Sequence, residues 1–300
     1  RDKKTLGLKY PMNLLHEAVG TIIADKTGSF QIGDRVVLSP NILSHVNGKC
    51  DHCVCDIPEL GENYCPQARF ASSNHNGFGR EYVNYPVSNL IKIPSEVETN
   101  VATFAELISV TIAIYRRLKL KGNETLAIWG DGILGYILSN TLRYLHKDVR
   151  LIAIGKHEDK LNKFPVDKFY LIGDKEIKNE FIDVAYECVG GQSSGLAINE
   201  AIDNMVVGGK IVLTGVAEST VDINTRKILE KGISLYGVTR SNNEDFRKAL
   251  EILKDEEVRK NISKLILSEF KIKDIIDYYN VFEMELVNKG LGKNLLKFDL

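Results

Sequence analysis

The sequence predicts an α/β protein in which a β-rich first part precedes a doubly wound parallel sheet. Three observations lead there. Residues 14–37 alternate and break as antiparallel strands do. From Thr125 onward, six short apolar runs are separated by stretches that mostly carry helical apolar spacing, which is how a sheet with helices on both faces reads. The first of those runs ends in Gly130-Asp131-Gly132-Ile133-Leu134-Gly135, a Gly-x-Gly-x-x-Gly that leads into an amphipathic helix.

The front strands are expected at 16–24 and 33–38, with 25–30 as the turn between them. Residues 41–76 are irregular, polar and cysteine-rich, a lobe or long loop. Residues 77–83 lead into another strand, and 101–118 have helical spacing. Strands of the parallel sheet are expected at 125–129, 149–154, 168–172, 182–188, 210–213 and 233–238, with helices at 194–204 and 243–253 among the segments between them. The tail carries a helix near 273–285 and a strand near 294–298. The resulting division is 1–108 with 263–300 as one domain and 109–262 as the other.

Composition narrows the function. The chain has 300 residues, 44% apolar and 26% charged, enough to build a core and unlike a disordered protein. Its 39 basic and 40 acidic residues leave a net charge of −1, which argues against a nucleic-acid partner or a polybasic membrane surface. No apolar run is long enough to span a bilayer and no leader peptide is visible, so a cytoplasmic location is expected.

Each glycine of the fingerprint has a physical task. Gly130 permits the tight turn, Gly132 lets backbone approach a pyrophosphate, and Gly135 lets the helix pack against the strand. The helix opens at Ile133 and Leu134, and its free N–H groups face the phosphates. The helix carries Ile133, Leu134, Ile137, Leu138, Leu142 and Leu145 at apolar positions. A dinucleotide site is therefore expected here. In an NAD site the next strand ends in an acid for the ribose 2′-hydroxyl, roughly 20 residues past the glycines. Here Gly155-Lys156-His157 stand at that place. A 2′-phosphate would be attracted by Lys156, so NADP is favoured over NAD, although Glu158 and Asp159 follow closely. The competing reading leaves Gly155 a turn glycine and Lys156 a solvated charge.

Four of the five cysteines, Cys50, Cys53, Cys55 and Cys65, stand close together in the irregular lobe. Four thiolates at such spacing suit a tetrahedral structural zinc, which would order a segment with little to bury. Cys188 closes an apolar strand and reads as a small buried hydrophobe.

Taken together, these features resemble the medium-chain alcohol dehydrogenase superfamily. Its Gly-His-Glu-x-x-Gly appears as Leu15-His16-Glu17-Ala18-Val19-Gly20, with the first glycine replaced. Gly33-Asp34-Arg35-Val36, the cysteine lobe, Gly77-Phe78-Gly79-Arg80-Glu81-Tyr82 and the glycine fingerprint follow in the family's order. The lobe departs from the usual Cys-x2-Cys-x2-Cys-x7-Cys, reading Cys-x2-Cys-x1-Cys-x9-Cys. A narrower resemblance, to bacterial ribulose-5-phosphate reductases of teichoic-acid and capsule synthesis, rests on several motifs. These are Trp129-Gly130-Asp131-Gly132-x-Leu134-Gly135-Tyr136, Glu187-Cys188-Val189-Gly190-Gly191, Ala197-Ile198-Asn199, Asn224-Thr225-Arg226 and Ser72-Ser73 with His75 and Gly77-Phe78.

The resemblance implies a GroES-like catalytic domain beside a Rossmann domain, with NADP(H) and zinc as cofactors. It implies His16 and Glu17 as ligands of a catalytic zinc, with Glu106 as a further ligand. It also implies a cysteine ligand upstream, and none precedes Cys50. With Arg1 rather than Met at the start, the expectation is that an N-terminal segment is missing from the sequence. The implied reaction is NADPH-dependent reduction of D-ribulose 5-phosphate to D-ribitol 5-phosphate, feeding a ribitol-5-phosphate cytidylyltransferase. Arg240 is the first candidate for the substrate phosphate, with Arg226 and Lys293 behind it. A homodimer joined through the edge strand at 233–238 is expected. The rivals are a zinc polyol or alcohol dehydrogenase with an unphosphorylated substrate, and a non-catalytic nucleotide-binding protein.

Overall fold

The computed structural model describes residues 11–43, 54–118, 120–288 and 290–298. These fall into two compact units, one built from the residues up to 109 and from 241 onward, the other from 110–240.

In the first unit, β1 (Val19–Thr21), β2 (Arg35–Leu38), β3 (Asn41–Ile42), β4 (Arg69–Phe70) and β5 (Leu90–Lys92) make two antiparallel sheets, β1-β2-β5 and β3-β4. The turn expected at 25–30 is held by Asp25, whose carboxylate accepts from the amides of Thr27 and Phe30 at 2.7 and 2.9 Å. Those bonds, Thr27 first, hold the Asp25 carboxyl down at about 2. The strand expected at 16–24 is shorter than its apolar alternation suggests. The segment at 77–83, expected to lead into a strand, reaches β5 through irregular backbone, and the amides of Gly77, Phe78 and Gly79 donate to the carbonyls of Asn13, Leu15 and Leu14. A Cβ on Gly77 would lie 2.2 Å from the Leu15 carbonyl oxygen, so this close pairing requires glycine. The helical spacing at 101–118 resolves into α1 (Thr99–Ala102) and α2 (Ala105–Arg117), and the boundary between the units falls inside α2.

The second unit contains β6 (Thr125–Trp129), α3 (Ile133–Leu145), β7 (Arg150–Gly155), α4 (Glu158–Leu161), β8 (Lys168–Leu171), β9 (Ile182–Glu187), α5 (Ser194–Asn204), β10 (Met205–Leu213), α6 (Thr225–Lys231) and β11 (Ser234–Gly237). The strands lie in the order β11-β10-β9-β6-β7-β8, all parallel. This is the doubly wound order, and its direction reverses between β6 and β9, where such sheets bind nucleotides. Period-two alternation divides the core. Ala127 and Trp129 of β6 face one apolar layer with Ala197, Ile198, Ala201 and Ile202 of α5. Leu126 and Ile128 face the other, with Ala113 and Ile114 of α2 and Leu138 and Leu142 of α3. Each fully buried aliphatic side chain contributes roughly 1.5–3 kcal/mol.

The chain then returns to the first unit through α7 (Asn243–Ile252), α8 (Glu256–Ser263), β12 (Ile266–Ile272), α9 (Ile275–Val287) and β13 (Lys293–Phe298), with β12 and β13 parallel. The second boundary thus lies at 240 rather than the expected 262. By alternation, α7 reads as one more crossover helix of the parallel sheet. In the structure α7 packs on β5 and α8 on α1. No helix among the described residues is long and apolar enough to cross a membrane.

Candidate active site

The first unit gathers three potential metal ligands. His16 and Glu17 leave the chain just before β1, after Leu15, whose φ of 70° is left-handed and unusual for a leucine. Glu106 comes from the first turn of α2 and is only 5% exposed. Ligand atoms of His16, Glu17 and Glu106 all lie within 4.8 Å of one another, with His16 Nε2 at 4.0 Å from Glu106 Oε1. Burial, reinforced by the neighbouring Glu17 charge and opposed by Lys293, pushes the Glu106 carboxyl up to about 8. Lys293, at the start of β13, ion-pairs with Glu17. Two carboxyl groups and an imidazole converge here, and when Glu106 is ionised only one ammonium group, that of Lys293, stands against two negative charges. A divalent cation fits that donor set.

The second unit carries the nucleotide features. Gly130, at φ 125°, turns the chain out of β6, and a Cβ there would meet the Cys188 carbonyl oxygen at 2.8 Å. A Cβ on Gly135 would meet the Gly130 carbonyl oxygen at 2.2 Å. Both glycines are demanded by packing. Gly132 differs, since a Cβ there would meet nothing within 4 Å. It is the N-cap of α3 and caps that helix with no side chain, so the first-turn amides of Ile133 and Leu134 open beside an unfilled space. A pyrophosphate fits that cradle.

Gly155 ends β7, and Lys156 and His157 follow, both exposed. Asp131, which stands inside the glycine fingerprint, organises all three. Its Oδ2 accepts from the amides of Lys156 and His157, each at 2.7 Å, and His157 Nδ1 lies 2.9 Å from the same oxygen. A Cβ on Gly155 would lie 2.7 Å from Asp131 Cβ, so the glycine makes room for this clamp. Burial raises the Asp131 pKa, but the bonds from His157 and Lys156 outweigh it and hold the carboxyl below its usual range. Glu187 plays a similar part at the end of β9. It is 1% exposed, and its carboxylate accepts from the amides of Val189, Gly190 and Gly215. Asp131 stands between two glycines of the fingerprint, whereas Glu187 stands between Tyr186 and Cys188, where no local pattern marks it.

Other candidates are placed less decisively. Cys65 is buried against Ala68, with Cys55 and Leu43 packed on them, whereas Cys50 and Cys53 lie outside the described residues. Arg240 is half-buried with φ 59°, and desolvation lowers its pKa. Arg226 is engaged by Glu230 at 2.7 Å.

Comparison with known proteins agrees with these features. A model of the alcohol dehydrogenase GroES-like domain matches residues 1–95, and one of the zinc-binding dehydrogenase matches 173–255. Ribulose-5-phosphate reductase 1 of Staphylococcus aureus is 35% identical over 303 residues, covering 99% of this chain and 85% of that protein. The ribulose-5-phosphate reductase of Bacillus spizizenii is 34% identical, with 100% and 86% covered. The crystal structure of S. aureus TarJ in complex with NADPH superposes with a TM-score of 0.80 at 31% identity, covering 100% of this chain and 85% of that one. This chain belongs to the zinc-type alcohol dehydrogenase family, in the group that includes the bacterial ribulose-5-phosphate reductases.

Proposed function

We propose that this protein is an NADPH-dependent oxidoreductase that reduces D-ribulose 5-phosphate to D-ribitol 5-phosphate. The observation that carries the reading is the convergence of His16, Glu17 and Glu106 in a chain about one-third identical, over its whole length, to reductases of that name. His16, Glu17 and Glu106 would hold a zinc ion, which when bound supplies a Lewis acid for a ketone oxygen. NADPH would supply the hydride that, with one proton, converts the ketone to a secondary alcohol. Lys293 anchors Glu17 and balances part of the carboxylate charge. The open face at Gly132 and the amides of Ile133 and Leu134 would receive the pyrophosphate. Lys156 and His157, held by Asp131, would read the ribose 2′-phosphate.

The test is steady-state NADPH oxidation with phosphorylated and free ketoses. D-ribulose 5-phosphate is expected to give a much higher kcat/KM than D-ribulose. Equal rates would favour the polyol dehydrogenase reading, and no turnover of any ketose would favour a non-catalytic protein.

Lys156→Ala is expected to erode the preference for NADPH over NADH by roughly 10–100-fold. The basis is the about 1.5–3 kcal/mol of a hydrogen bond to a charged group. An unchanged NADPH/NADH ratio of kcat/KM would remove Lys156 from the account.

Three further parts belong to this proposal. Cys50, Cys53, Cys55 and Cys65 would hold a structural zinc, which metal analysis of Cys65→Ser would show as one ion fewer per chain. A cytoplasmic homodimer joined along the edge strand β11 would show in the solution mass. The product would pass to a ribitol-5-phosphate cytidylyltransferase for polymer synthesis, and the two proteins assayed together would form CDP-ribitol.

A further inference from the structure

We infer that Arg69, His75 and Arg80 form the subsite for the phosphate of the substrate, beside the metal ligands of the first unit. This rests on the reading of the substrate as a sugar phosphate.

The backbone brings together the segments that carry the three groups. Arg69 lies in β4, and the amides of Ser73, Asn74 and His75 all turn back to the Phe70 carbonyl at 3.2–3.3 Å. Ser72 holds that turn with a φ of 63°, a left-handed conformation rare for a non-glycine residue. Its amide donates to the His75 carbonyl at 2.8 Å. Arg80 follows Gly77–Gly79, whose amides bond to the three residues just before His16. The His16 ring lies 5.5 Å from the Phe70 ring, next to Arg69. The segments bearing both arginines therefore border His16.

Their charge is unanswered. Several other arginines are satisfied: Arg143 by Asp167, Arg150 by Glu180, Arg226 by Glu230, and Arg35 by backbone carbonyls, while Arg117, whose Nε is also buried without a hydrogen bond, lies over the Tyr236 ring. Among the described residues, neither Arg69 nor Arg80 meets a carboxylate. Arg80 Nε is buried and makes no hydrogen bond. Burial, and then the charges of Arg69 and Arg80, hold the His75 imidazole below its ordinary pKa, and no carboxylate offsets them. A buried, unsatisfied guanidinium nitrogen is destabilising until an acceptor arrives. Two guanidinium forks and an imidazole suit a phosphate dianion, which offers three oxygens to several donors at once. In a chain of net charge −1, such a cluster is not part of a general basic surface.

The subsite also accounts for the Ser72-Ser73, His75 and Gly77-Phe78 stretch, to which the metal and nucleotide sites give no role. Arg240, the candidate from sequence, carries no comparable unsatisfied donor cluster among the described residues.

The experiment compares wild type with Arg69→Ala, Arg80→Ala and Arg80→Lys in the full chain. It measures kcat/KM for D-ribulose 5-phosphate and D-ribulose, the KM for NADPH, and competitive inhibition by inorganic phosphate. The 5-phosphate/free-sugar preference is expected to fall by about 10–100-fold in each alanine variant, chiefly through KM. Inorganic phosphate should inhibit wild type and lose potency in the variants, and Arg80→Lys should recover part of the preference. Arg69 is exposed, so its truncation does not threaten folding even if that of Arg80 does. A preference that survives in Arg69→Ala and Arg80→Lys overturns the subsite and leaves the proposed reaction standing. A rise in the KM for NADPH without loss of preference also overturns it, by assigning the cluster to the nucleotide. A wild type indifferent to the 5-phosphate overturns the functional reading itself.

Discussion

His16→Ala is expected to lower kcat/KM for D-ribulose 5-phosphate by about a thousandfold or more and to release one zinc ion per chain. The size follows from the several kcal/mol that a Lewis acid contributes to a developing oxyanion, each 1.36 kcal/mol being about tenfold in rate. His16 is the neutral nitrogen donor in a set whose other members are carboxylates, and no other imidazole joins the cluster among the described residues. Glu106→Gln provides the sharper companion. It keeps the shape of the side chain and removes the charge, so the metal site should weaken strongly. In metal-free protein the same change is expected to raise Tm, because Glu106 is a buried carboxylate held beside Glu17. Gain in apo stability with loss of metal and rate is the signature of a ligand. Loss of both would mark Glu106 as a structural carboxylate. A His16→Ala protein that keeps full activity and full zinc would contradict the assignment outright.

The second large effect separates two glycines of one motif. Gly132→Val is expected to leave thermal stability within about 1 kcal/mol of wild type, since a Cβ there meets nothing within 4 Å. Its KM for NADPH should rise by about 10–100-fold, because branched carbons would fill the space reserved for pyrophosphate. Gly135→Ala should behave in the opposite way. Its Cβ would lie 2.2 Å from the Gly130 carbonyl oxygen, a contact that backbone must move to relieve, at a cost of about 1–3 kcal/mol or more. Thermal melts and NADPH titrations on both variants check the pair. Equal destabilisation with equal loss of binding would mean that Gly132, too, serves packing, and the pyrophosphate cradle would lose its support.

These two predictions also show what the sequence could and could not disclose. The parallel sheet was legible because β6, β7 and β9 are buried on both faces and read as mostly apolar runs, broken in β9 by Asp183. The 194–204 helix matches α5 residue for residue. The first unit was harder. Its strands are short, and the amides of residues 77–79 bond to residues 13–15, a long-range pairing that no local pattern announces. The polar α8 buries only Val258 and Ile262, too little to stand out. At the site, His16-Glu17 was visible as a motif, and Glu106 entered through resemblance, since 90 residues of chain separate it from His16. Asp131 and Glu187 escaped because their task is to accept backbone amides from other loops, which leaves no spacing rule. Lys293, a candidate for the phosphate by sequence, gives its ammonium group to Glu17.

The most direct test of the whole account is metal dependence of turnover in the full-length protein. Zinc is removed by a chelator, the chelator is removed, and NADPH oxidation with D-ribulose 5-phosphate is followed before and after zinc is restored. The account predicts that activity falls to near background and returns with added zinc, while NADPH still binds the stripped protein. Undiminished turnover in protein shown to be free of metal would contradict it.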